Sequence, residues 1–483
     1  MKKLSLTSIS SLTVLSFTWL LVAACSQSSG TNPESSISTT AEQPGAVIGN
    51  VDTNIPRAIP IEDPQFQEIA NAMVGRPAHT GQESSGVFRK WSTGGRGFYN
   101  PNNRKLYENF AEAYLTKARL ETRTVYYPFG GPDVIYPLTF FPKTTTLILV
   151  GIEPIGELPT LEVAQGSEYQ ESMNSMMEIY LASSFYRTED MRAEASTDPN
   201  KATWAKMMAA IGLLDLRILT TETGTLNEEG TWLSDANTLE DQRNALSPRG
   251  VLFRCLRTID GHSEFVAVYY FQQNLGESNR GSLYSLPKAR PFRSFIDSFN
   301  GNYTSFLKAA SYLSHYKEDF KTSNELIFGG NKIIQAPSGV PFSEFVKHRD
   351  TWKLSLFGEY REPSHLFEDH PQLDLRDAYA SSMSGDSRGE YSDFVNYGGG
   401  LPFHYDYGTG TDGKGKGSMM FFAIKGSSFP TSTELPNTKK AVPRAELPSA
   451  ARGIPEKPKE NPQPEAKKKR KPLLKWLFGK GDS

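Results

Sequence analysis

Apolar positions along this chain recur with two periods, and each change of period marks an element. From Asn103 to Leu120, Leu106, Phe110, Ala113 and Leu120 repeat at helical spacing, which predicts a one-faced helix interrupted near its end by Lys117. "TRTVYYP" then reads as a strand, "FGGPD" as a turn, and "TTTLILVGIEP" as a second strand whose continuously apolar centre suits burial on both faces. Tyr169, Met173, Met176, Met177 and Tyr180 return to helical spacing, and Trp204–Leu219 predicts a further helix. That methionine stripe is expected to be core rather than a binding groove.

Beyond residue 245 the pattern favours paired strands. "GVLFRCLRTID" and "EFVAVYYFQQN", joined by "GHS", predict a hairpin. Tyr303–Phe320 predicts a helix with Phe306, Ala310, Leu313 and Phe320 inward, and "WKLSLFGEY" and "SMMFFAIK" predict two more strands. The fold class expected is α/β to α+β, mixed sheets with covering helices: an α/β half at 59–245 and an α+β half at 246–428. The polar stretch Thr220–Pro248 is the expected boundary between them.

The two ends follow neither period. Lys2 and Lys3 precede a weakly apolar run, Leu4–Leu21, then Val22-Ala23-Ala24 and Cys25. This arrangement resembles the bacterial lipoprotein signal, which implies removal of residues 1–24 and lipidation of Cys25 with fatty acyl chains such as palmitate. Two or three chains at about 0.8 kcal/mol per buried CH₂ hold a protein on a bilayer without spanning it. Ser26 stands where an aspartate would resemble an inner-membrane retention signal, so an outer-membrane address is expected in a two-membrane cell. Residues 25–58 are poor in large apolar side chains and read as a flexible tether.

Residues 429–483 form a Pro- and Lys-rich tail that reads as disordered. Seven Lys and Arg fall between Lys467 and Lys480, whereas residues 26–466 carry 43 basic and 53 acidic residues, so the positive charge is local. Lys467, Lys468, Lys469, Arg470 and Lys471 suit anionic lipid or an envelope polymer, with Trp476 and Phe478 entering the interface. Nucleic acid is not an expected partner of an exported chain. With Cys25 lipidated, Cys255 has no partner for a disulfide and reads as a small buried side chain.

Candidate chemistry is sparse. In "YYPFGGPDVIYP", Gly130 and Gly131 permit a tight turn, and Asp133 suits a helix cap or a ligand contact at the carboxyl end of a strand. "HLFEDHPQLDLRDAY" gathers His365, Glu368, Asp369, His370 and Asp374, but the spacing of the two histidines puts them on different helical faces, so no metal is expected. "GDSRG" matches a nucleophile-elbow pattern, yet Ser387 lacks the preceding apolar strand, and Asp393 and His404 lie too close along the chain for that triad. "GTGTDGKGKG" departs from a phosphate loop at Gly415. No cofactor is expected.

Four stretches, "YYPFGGPDVIYPLTFFPKTTTLILVGIEPIGELP", "FLKAASYLSHYKEDF", "SGVPFSEF" leading on to "WKLSLFGEY", and "LPFHYDYG", resemble a family of exported bacterial proteins with no assigned activity. The resemblance spans Tyr126–Gly408 and implies a shared fold and no catalytic residue. The expectation is therefore a membrane-anchored envelope protein whose folded body binds a ligand or partner. An envelope hydrolase using Asp133, His365, His370 or His404 is one alternative, and a tether between envelope layers is another.

Overall fold

In the computed structural model the two expected halves share one sheet. The structure describes residues 62–426, apart from 79–80, 94–103, 184–185, 187, 238–246, 260, 279–285, 309–312, 359, 361–371, 385–394, 397–400, 402, 404 and 406–418. Eleven strands are described: β1 (Thr124–Tyr127), β2 (Thr146–Gly151), β3 (Leu216–Leu226), β4 (Trp232–Ser234), β5 (Arg249–Ile259), β6 (His262–Gln272), β7 (Thr304–Leu307), β8 (Lys332–Gln335), β9 (Trp352–Gly358), β10 (Val395–Asn396) and β11 (Met419–Lys425). Their order in space is β10-β9-β11-β8-β7-β1-β2-β6-β5-β3-β4.

The five central strands, β8-β7-β1-β2-β6, are parallel. Antiparallel pairs extend them on both sides, with β5 on β6 and β11 between β8 and β9. This is a mixed sheet with covering helices. Successive strand residues point to opposite faces, as the pleat requires: Val125, Tyr127, Leu147, Leu149, Val268 and Tyr270 enter one core, and Tyr126, Ile148, Val150, Tyr269 and Phe271 the other.

The helices divide by the same rule. Pro64–Val74, Arg104–Tyr114, Ile135–Phe140, Ser167–Ser183 and Thr203–Leu213 cover the first face, and Arg290–Asp297, Lys321–Gly329, Phe342–Lys347 and Leu373–Ser384 cover the second. Residues 59–245 and 246–428 thus supply the helical layers of opposite faces, with their strands interleaved in one sheet. Met173, Met177, Tyr169 and Tyr180 of Ser167–Ser183 are buried in the first core, where the stripe was expected.

Several expectations are corrected. Tyr303–Phe320 is not one helix: Thr304–Leu307 is β7, paired to both β1 and β8, with Phe306 and Leu307 on opposite faces. The helical spacing of Phe306 and Leu313 was coincidental, because two neighbouring strands satisfy this backbone better than a helix placed beside an open ladder. Within the expected boundary, Thr220–Leu226 continues β3 and pairs with β5 and β4. Threonines suit an extended, half-buried backbone as well as a linker. The helix expected over 204–219 ends at Leu213, and Leu216 opens β3. The helix expected over 103–120 is divided at buried Leu115 into Arg104–Tyr114 and Thr116–Glu121.

Candidate functional site

Chain direction from strand to strand locates the site. From β1 the chain runs through the helix Ile135–Phe140 to β2 on one side, and from β6 it returns through Arg290–Asp297 to β7 on the other side of β1. The gap beyond the carboxyl ends of β1 and β7 is therefore the topological switch point, where open parallel sheets leave a crevice between diverging connections.

The loop leaving β1 is built tightly. Phe129 holds a left-handed φ of 62°, uncommon for a bulky residue, and Gly131 follows at 54°. A Cβ on Gly130 would lie 2.7 Å from the Tyr127 ring, so only glycine lets the chain fold back over that side chain. The turn delivers Asp133 into the core at 2% exposure. Its Oδ2 accepts the Tyr127 hydroxyl at 3.1 Å, and its Oδ1 accepts the Tyr136 amide at 3.3 Å and the Tyr180 hydroxyl. Asp133 thus accepts an amide of the first turn of Ile135–Phe140 from just outside the helix, whose N-cap position is Val134.

Lys308, the residue after β7, arrives from the other side of the switch point. It is 1% exposed, and its Nζ lies 3.2 Å from the centroid of the Tyr136 ring. Tyr405 donates to the Leu307 carbonyl at 3.2 Å, Tyr107 stacks on Phe403 at 4.2 Å, and Tyr180 stacks on Tyr186 at 4.0 Å. Burial raises the Asp133 carboxyl above its ordinary range, although Lys308 and the hydrogen-bond donors oppose it. Burial likewise takes the Lys308 amine down to about 7, opposed by Asp133. For both groups the loss of water outweighs mutual attraction, so the charged forms are disfavoured. The buried hydroxyls of Tyr127, Tyr180 and Tyr405 are pushed well up, chiefly by the same desolvation, and remain protonated.

A second polar group lies beside the first. Glu153, just past β2, accepts Thr188 Oγ1 at 2.6 Å on Oε1 and Tyr270 Oη at 3.3 Å on Oε2. Tyr270 also donates to the Glu153 carbonyl at 2.8 Å. Gly131 and Gly151 both border this carboxylate, where side chains would crowd it. Lys206 is buried too, but its Nζ pairs with Glu194 at 2.7 Å and donates to the Lys201 carbonyl.

Of the other expected residues, Cys255 is buried beside Val251 and Phe253 in the first core, and burial pushes its thiol up. Asp374 opens the helix Leu373–Ser384 and accepts the Leu375 amide at 2.9 Å. Cys25, His365, His370, His404, Glu368, Asp369, Ser387, Asp393, Gly415, Lys467, Lys468, Lys469, Arg470, Lys471, Trp476 and Phe478 lie outside the described residues, as do the tether and the tail. Among the described residues no cluster of His, Cys, Asp and Glu forms a metal site, and no helix is long and apolar enough to cross a membrane.

Sequence reasoning missed Lys308, Glu153, Lys206 and the tyrosines. A signal exists for two of them, since "TSFLK" and "LILVGIE" each place a charge just past a buried strand. The fold and site define an open mixed sheet with a buried acid–base cluster at its switch point. Comparison with known proteins finds no matching family model, no similar curated protein and no similar solved structure, so function must be read from the chemistry of the buried cluster itself.

Proposed function

We propose that this is a lipid-anchored protein of a bacterial cell envelope, outer-membrane where the cell has two membranes, whose folded body is a ligand-binding module. Cys25 carries the lipid. The basic tail, Lys467–Lys471 with Trp476 and Phe478, adds a contact to anionic lipid or envelope polymer. The ligand site is the crevice expected beyond the carboxyl ends of β1 and β7, with Asp133, Lys308 and the tyrosine hydroxyls beneath it, and the ligand is compact and hydrogen-bonding.

One observation carries this reading: Asp133 and Lys308, far apart in the chain, are both buried at the switch point within range of each other's charge. A buried pair of this kind costs desolvation, and replacing both members with neutral groups of similar shape is often neutral or stabilising by about 1–4 kcal/mol. Removing one member alone commonly costs about 3–5 kcal/mol. The place of the pair, where open sheets bind ligands, supports a role in binding rather than in the fold.

Urea unfolding of Asp133→Asn, Lys308→Met and the double variant tests this. The expected double variant matches or exceeds the parent in stability, with each single variant below it. If the double variant is less stable than either single one, the pair belongs to the fold and the reading fails.

A further inference from the structure

We infer that a polar groove on the first helical face, sharing no residue with the switch-point cluster, binds a neutral polysaccharide chain. Its walls are the helices Gly86–Thr93 and Ser167–Ser183, and its volume is about 420 Å³. Small-molecule sites span about 300–1,000 Å³, but they are lined mostly by apolar and aromatic side chains. Here, Gly86 apart, every lining residue is a serine, asparagine, glutamine or glutamate. No ring or alkyl group is offered to an apolar ligand, and no Lys or Arg to a phosphate or other anion. The ligand that matches such a wall presents hydroxyls on every side, as a sugar does.

The sequence builds this groove at some expense to its helix. Tyr169, Met173, Met177 and Tyr180 are buried in the first core and fix the rotation of Ser167–Ser183, so Gln170, Glu171, Asn174, Ser175 and Glu178 turn outward. That helix carries no Lys or Arg. Asn and Ser are poorer helix formers than the Lys, Glu or Ala usual on an outer face, because their side chains compete for the backbone. At positions 174 and 175 their short side chains keep the groove open. Gly86, at a φ of 53°, completes it, since a side chain there would run into the Asn174 amide. The Ser85 amide donates to the Gly75 carbonyl at 2.9 Å, which anchors the rim to the end of the helix Pro64–Val74.

The hydrogen-bonding capacity of this wall is unspent. Among the described residues, the side chains of Ser167, Gln170, Glu171, Asn174 and Ser175 make no hydrogen bond or ion pair with the rest of the chain. Asn174 Oδ1 is buried without a hydrogen-bond partner, a state that native proteins seldom leave uncompensated. Glu178 pairs with Lys90 of Gly86–Thr93, which cancels one negative charge and leaves Glu171 as the single unpaired carboxylate of the lining. One carboxylate among neutral amides and hydroxyls suits a pair of neighbouring sugar hydroxyls, whereas a cation would call for several. From Ser167 to Glu178 the helix rises about 16 Å at about 1.5 Å per residue, room for a run of sugar units rather than a single one.

Isothermal titration of the full chain, in a detergent without a sugar headgroup, tests this with maltohexaose, cellohexaose and the hexamer of N-acetylglucosamine, against glucose, N-acetylglucosamine, oligolysine and inorganic phosphate. The expected result is that at least one hexamer binds about tenfold or more tightly than its monomer, with no binding of phosphate or oligolysine. Ser175→Arg, which fills the groove from an exposed position, and the double variant Gln170→Ala/Glu171→Ala should each weaken that binding about tenfold or more. Glu168→Ala, exposed on the same helix but outside the lining, should leave it unchanged. Hydrogen exchange of the parent chain with the hexamer bound should slow at 85–93 and 167–178, which decides the location should a variant fail to fold. Binding of oligolysine and of no sugar assigns the groove to cations and overturns the inference. Absence of binding by every sugar, or binding that Ser175→Arg leaves intact and that slows exchange elsewhere, overturns it as well. The reading of the switch point uses none of these residues and stands or falls separately.

Discussion

Lys308→Met isolates the energetic cost of burying an amine, and the cost depends on pH in a calculable way. In the folded chain Lys308 holds its proton only below about 7, whereas the unfolded chain holds it to about 10.5. Between these values the unfolded state binds more protons, so the parent gains stability as pH rises through this window. Each tenfold loss of proton affinity on folding is worth about 1.36 kcal/mol, so the titration of Lys308 by itself makes the parent about 3 kcal/mol less stable at pH 6.5 than at pH 9.5, whatever the total effect of replacing the side chain. Methionine fills a similar volume and does not titrate. Relative to Lys308→Met, the parent should therefore become about 3 kcal/mol more stable between pH 6.5 and 9.5. Urea unfolding of both proteins at the two pH values measures the difference; the subtraction removes the titrating groups that Lys308 does not influence, and Asp133, which it does, is removed by making the same comparison in an Asp133→Asn background. A difference that stays constant within about 0.5 kcal/mol would show that Lys308 keeps ordinary proton affinity, and the buried cluster would lose its acid–base character.

Gly130→Ala should lower stability by about 2 kcal/mol or more, since its Cβ would press the Tyr127 ring at 2.7 Å; thermal unfolding a few degrees lower checks this, and an unchanged midpoint refutes the crowding. Cys255 should resist a thiol-titrating reagent in the folded chain and react only after denaturation, because the thiol is buried and its pKa raised; fast labelling of native protein would contradict the packing. Deleting Lys467–Ser483 should weaken binding of unlipidated protein to phosphatidylglycerol vesicles, measured by co-sedimentation, and unchanged binding would remove the tail from the membrane contact.

The elements that repeat locally were legible before any fold was known. The β5–β6 hairpin, the apolar β2, the stripe of Met173, Met177 and Tyr180, and the burial of Cys255 each follow from a period of two or of about 3.6. Asp133 was legible as well, because a Gly-Gly-Pro-Asp turn after a strand must put its carboxylate near that strand's carboxyl end. The tertiary structure decided the rest. Four residues, Thr304–Leu307, satisfy a strand or a helix equally well in isolation, and only the open edges of β1 and β8 made them β7. That choice carried Lys308 to Asp133, since a parallel sheet pairs strands whose separation along the chain leaves no mark in local spacing. Which face each helix covers was settled in the same way, by the handedness of the connections and the order of the strands.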